Sequence, residues 1–121
     1  MTTCNRAKRA SDEPDFRKQN KLVRDKIPAI IKTEGRTPKI KQLKGRALTS
    51  ALYNKLTEEH ANLLAATDTT SRLEELADMV EVILALASSY GTSDEELMNL
   101  VRTKREKRGG FSAGQFYAGD E

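Results

Sequence analysis

Four side chains near the middle of this 121-residue chain have the types and spacing to hold a divalent cation. Glu59 and Asn62 stand three apart in one segment, and Glu75 and Asp78 stand three apart in the next. Each pair shares one face if its segment is helical. At 100° per residue, Leu52, Leu56, Glu59 and Leu63 fall within about 60° of one another. Glu59 therefore sits inside an apolar stripe, where an ionised carboxylate is costly unless something pairs with it. If two helices run antiparallel about a turn between Asp68 and Thr69, residues whose numbers sum to 137 face each other. That sets Glu59 opposite Asp78 and Asn62 opposite Glu75, so three acids and an amide converge. Carboxylates so close repel and hold protons unless a cation binds. An all-oxygen donor set favours Mg²⁺ or Mn²⁺.

The elements that must position these groups follow from the periodicity. Leu48, Leu52, Leu56 and Leu63 predict a long helix over 46–65. A polar break at Asp68-Thr69-Thr70 precedes a second, over 71–89, ending at Gly91. Along it Leu73, Leu76, Ala77, Val80, Ile83, Leu84 and Ala87 form one apolar face, while Met79, Val82 and Leu86 form another that includes Glu75 and Asp78. Glu74, Glu81 and Ser88 make up the narrow polar strip that remains. A helix apolar nearly all round is expected at the centre of a fold or at an oligomer interface. Ser93-Asp94-Glu95-Glu96 reads as a capping box that opens a last helix to about residue 107, with Leu97, Leu100 and Val101 facing inward. Upstream, Asp25 is expected to cap a short helix whose first turn tolerates Pro28. Ile27, Ile30 and Ile31 give that helix an apolar side, and Gly35 ends it. The basic connector 36–44 permits a short extended piece over 39–43.

Composition sets the outer limits. The chain is 37% hydrophobic and 5% aromatic with no Trp, which suits one small helical domain and argues against a β-sandwich. A single cysteine, Cys4, excludes an internal disulfide and a thiolate zinc site. The longest apolar run, Val82 to Ala87, is far short of the ~20 residues that span a bilayer. No signal-peptide stretch is present, so a cytoplasmic protein without a membrane partner is expected. The net charge of +3 divides into +9 over 1–50, −8 over 51–100 and +2 over 101–121. Residues 1–20 read as a flexible basic tail, 21–117 as the domain and 118–121 as a C-terminal tail. Phe16 is the one aromatic before Tyr53, which gives base stacking little support and makes nucleic acid a poor candidate partner. The doubly apolar helix predicts a homo-oligomer, a dimer or tetramer.

These residues resemble the all-α nucleoside triphosphate pyrophosphohydrolases of the MazG and phosphoribosyl-ATP pyrophosphohydrolase superfamily. The family pattern is E-E-x-x-E followed on the next helix by E-x-x-D. This chain reads Glu58-Glu59-His60-Ala61-Asn62 and Glu75-Leu76-Ala77-Asp78. Lys21-Leu22-Val23-Arg24-Asp25-Lys26-Ile27-Pro28 and Lys104-Arg105-Glu106-Lys107-Arg108-Gly109-Gly110-Phe111 look like the phosphoribosyl-ATP pyrophosphohydrolase-like branch. The resemblance covers about residues 20–117.

It implies an all-α, MazG-like antiparallel bundle of about four helices around a central long pair. It also implies an enzyme that splits a nucleoside triphosphate between its α and β phosphates in nucleotide house-cleaning. The implied metal ligands are Glu59, Glu75 and Asp78, with Asn62 in place of the family's third Glu, a change that removes one charge. Glu58 matches the first Glu, which positions the ligands or the attacking water, so Glu58 and Glu59 are the implied catalytic pair. Lys21, Arg24, Lys26, Lys104 and Arg108 are candidates to bind the triphosphate. His60 is expected to pack or hydrogen-bond rather than act as a base. The alternatives are phosphoribosyl-ATP hydrolysis in histidine biosynthesis, or a weakly active or non-catalytic module that binds nucleotide or nucleic acid.

Overall fold

Amphipathic segments joined by short polar breaks give four helices and no strand among the described residues. The computed structural model describes residues 20–121, and the expectations for residues 1–19, Cys4 among them, lie outside the described residues. The helices are α1 (Ile27–Thr33), α2 (Gly45–Ala65), α3 (Thr69–Ser89) and α4 (Asp94–Arg108). None of them is long and apolar enough to cross a membrane.

The long pair α2 and α3 is the centre of the fold, and only residues 66–68 separate its members, so the two must run antiparallel. Asp68 caps α3, accepting from the Ser71 backbone N–H at 2.8 Å. This starts α3 two residues earlier than the apolar pattern alone indicates. At its other end Gly91, at φ +81°, supplies the left-handed residue of a Schellman cap. There the Thr92 N–H donates to the Ala87 carbonyl at 2.9 Å and the Gly91 N–H to Ser88 at 2.9 Å. Tyr53 and Tyr90 join hydroxyls at 2.5 Å across the far end of the pair, which ties the first half of α2 to the end of α3.

Leu52, Val82 and Leu86 are buried between the two helices, with Leu22, Leu48, Leu56 and Ala85 packed around them. Each such fully buried side chain contributes about 1.5–3 kcal/mol of transfer free energy. Leu22 belongs to the segment before α1, and through it that segment is anchored to the core. The face of α3 that meets α2 is therefore the one carrying Val82, Leu86, Glu75 and Asp78. The opposite face, with Leu73, Leu76, Val80 and Ile83, is exposed among the described residues.

Three local expectations need correction. Lys26, not Asp25, is the N-cap of α1, and no side chain caps that helix, whose first turn does hold Pro28. The 39–43 segment pairs with no strand, since none is present among the described residues. The capping box of α4 is present, with the Glu96 N–H donating to the Ser93 hydroxyl at 3.1 Å and the Ser93 N–H to the Glu96 carboxylate at 2.8 Å. Its inward face is not: Leu97 is half-buried, whereas Leu100 and Val101 are exposed, since α3 is the one described helix that α4 packs against. Phe111, Phe116 and Tyr117 are exposed too.

Candidate metal centre

Helical spacing and the antiparallel register bring Glu59, Glu75 and Asp78 together. One oxygen from each lies within 4.8 Å of the others. Oxygens bound to Mg²⁺ at about 2.1 Å are about 3 Å apart when adjacent and about 4.2 Å when opposite. A small contraction of these side chains is enough to close around such an ion.

Burial makes the grouping costly. Glu59 is 7% exposed and Glu75 6%, and both lie on the faces where α2 and α3 meet. Glu75 Oε1 is buried without a hydrogen-bond partner among the described residues. An orphaned buried oxygen of this kind calls for an explanation, and a bound cation is one. Burial, then the adjoining Glu59 carboxyl, then the charges of Asp78 and Glu74 push the Glu75 carboxyl from its ordinary 4.5 up to about 8. Asp78 is raised as well, by burial and by Glu59, with Arg24 and Lys55 opposing the shift. Glu75 and Asp78 thus hold more proton than ordinary carboxylates, as expected where acids crowd together as they do around a divalent cation.

Two cations and an amide surround the acids. Arg24 donates to Asp78 Oδ1 at 2.7 Å, reaching it from the segment that Leu22 anchors. Lys55 lies 3.1 Å from Glu58 and 3.6 Å from Glu59, one turn before both on α2. Asn62 Nδ2 donates to Glu59 Oε1 at 3.2 Å. The register that sets Asn62 opposite Glu75 is therefore not how its amide is used: the bond runs along its own helix. Asn62 lies at the exposed rim, where its amide orients Glu59.

Of the other candidates, Glu58 is half-buried beside Glu59 and held by Lys55. Arg24 is at the site, though bonded to a ligand carboxylate. Lys21 is half-buried just upstream of it. Lys26 is exposed at the start of α1, and Lys104 and Arg108 are exposed on α4. None of these last three forms an ion pair with the acids among the described residues. His60 is exposed, and its imidazole has no hydrogen bond among the described residues, contrary to the expected hydrogen-bonding role. Lys55 is a cation at the acid cluster that sequence reasoning missed. Its signal was a position three and four residues before Glu58 and Glu59, where one helical turn stacks it on both.

No family model matches this chain, and no solved structure matches it. A curated protein of Mycolicibacterium smegmatis, described as an uncharacterized protein, is 47% identical over 53 residues. The match takes in 44% of this chain and 54% of the relative, so the chain spans about half the length of the curated relative it matches.

Proposed function

We propose that this chain is a metal-dependent nucleoside triphosphate pyrophosphohydrolase, acting in the cytoplasm on surplus or noncanonical nucleotides. The observation that carries the reading is the convergence of Glu59, Glu75 and Asp78 around the orphaned Oε1 of Glu75. A bound Mg²⁺ or Mn²⁺ would neutralise phosphoryl charge and lower the pKa of a coordinated water.

The chain's own residues divide the remaining work. Glu59, Glu75 and Asp78 hold the ion. Glu58, steadied by Lys55, positions the attacking water or the ligands next to it. Water adds at the α phosphorus, the bond to the α–β bridging oxygen breaks, and monophosphate and pyrophosphate result. Arg24 is the cation best placed for the triphosphate. Its guanidinium donates to Asp78 Oδ1 and would be free to turn to a phosphate where Asp78 serves as a metal ligand. Lys21 and Lys26 flank it in sequence. Lys104 and Arg108 join only if α4 closes over the site.

One observation favours a second reading. Asn62 spends its amide on Glu59 and brings no negative charge, which suits a nucleotide-binding module of low activity. Pyrophosphate release across a panel of nucleoside triphosphates, with Mg²⁺ and with Mn²⁺, separates the two. Turnover of several triphosphates is the expected result. No turnover at high Mn²⁺ leaves the binding module, and turnover of phosphoribosyl-ATP alone moves the enzyme to histidine biosynthesis.

A further inference from the structure

Lys55 is the more enclosed of the two cations paired with the acid cluster, and it serves two carboxylates at once. Its ammonium lies 3.1 Å from Glu58 Oε2 and 3.6 Å from Glu59 Oε2. A lysine three or four residues from an acid is an ordinary helix-surface pairing when water surrounds it. Here the Lys55 side chain is 17% exposed and that of Glu59 10%. Enclosing an ammonium to that degree is costly unless it offsets charge that is enclosed with it.

Charge balance identifies what it offsets. When ionised, Glu58, Glu59, Glu75 and Asp78 bring four negative charges to the contact between α2 and α3. Arg24 pairs with Asp78, and Lys55 with Glu58 and Glu59, which offsets two of them. The two that remain match one divalent ion. Glu75 Oε1, buried and without a hydrogen-bond partner among the described residues, marks where that ion is needed. A second divalent ion would leave the cluster with two excess positive charges. Glu59 has little left to share with it, since Oε1 already accepts from Asn62 and Oε2 faces Lys55.

We infer that Lys55 stands in for a second divalent cation: its ammonium holds the place between Glu58 and Glu59, so that the nucleotide-free protein takes a single ion at Glu59, Glu75 and Asp78. The inference rests on the metal-binding reading of that cluster and adds to it a positioning residue and a stoichiometry. An ammonium tied to α2 cannot leave when metal is scarce, so Glu58 and Glu59 keep a cation between them in the metal-free protein.

The test counts Mn²⁺ bound to the full chain without nucleotide, by titration calorimetry and by the electron paramagnetic resonance signal of free Mn²⁺. The parent should bind one ion per chain. Lys55→Gln, which removes the charge, should bind two, the second more weakly, and Lys55→Arg should bind one. Adding Glu58→Gln to Lys55→Gln should restore one, because the new place needs that carboxylate. A purely structural role for Lys55 would change affinity or Tm and leave the count alone. Lys55→Met carries the same expectation as Lys55→Gln if the latter loses the helical circular dichroism of the parent. Two ions on the parent, or one on the folded uncharged variant, overturn the inference and leave the metal centre standing. No ion on the parent removes the metal centre itself, and the inference with it.

Discussion

Replacing Glu75 by Gln should stabilise the metal-free protein at high pH while removing its capacity for metal. In the unfolded chain Glu75 ionises near 4.5, whereas the folded, metal-free site raises it to about 8. Between those values the folded state binds more protons than the unfolded one, so stability falls as pH rises through that window. A displacement of that size, if it acted in full, corresponds to about 5 kcal/mol. The three carboxyls share the repulsion and can move apart when ionised, which leaves about 2 kcal/mol as the expected strain at pH 8. The amide of Gln is nearly isosteric with the protonated acid and carries no charge. Glu75→Gln should therefore match the parent at pH 5 and exceed it by about 2 kcal/mol at pH 8, roughly 8–16 °C in Tm for a domain of this size. The assay is thermal unfolding followed by far-ultraviolet circular dichroism, with chelator, at pH 5, 6.5 and 8. A variant destabilised by the same amount at all three pH values would refute the reasoning, because the Glu75 charge would then not be strained.

Arg24→Ala removes a half-exposed ion pair and should cost less than about 1 kcal/mol. It should also free Asp78 and tighten Mn²⁺ binding by about threefold in calorimetry, while raising KM for the triphosphate. Asn62→Glu adds a fourth carboxylate beside Glu59. The expected results are metal binding about tenfold tighter, higher activity at low Mg²⁺ and a lower Tm in chelator. An unchanged metal titration would keep residue 62 away from the ion. Ser93→Ala removes half of the capping box and should cost about 1 kcal/mol, measured as faster amide exchange in the first turn of α4.

The central pair and its acid cluster were legible because they depend on periodicity and on one short connection. Leu52 and Leu56 set the stripe containing Glu59, the 66–68 break fixed the register, and the three carboxylates converge as that register requires. What escaped depends on choices made outside a helix face. Whether Arg24 turns to Asp78 or to solvent is decided by how Leu22 anchors the preceding segment, a long-range contact that local spacing does not encode. Asn62 bonds to Glu59 on its own helix rather than to Glu75, which the register sets opposite it. The apolar side of α4 reads as inward-facing in sequence, yet Leu100 and Val101 stay exposed among the described residues. Periodicity marks a face for burial without naming what buries it.

Titration calorimetry of the intact protein with Mn²⁺ near pH 7.5, in two buffers of different ionisation heat, addresses the metal centre most directly. Saturable binding is expected, accompanied by release of close to one proton and abolished by Glu75→Gln. No heat of binding from Mn²⁺ or Mg²⁺, with or without a nonhydrolysable nucleoside triphosphate, would contradict it.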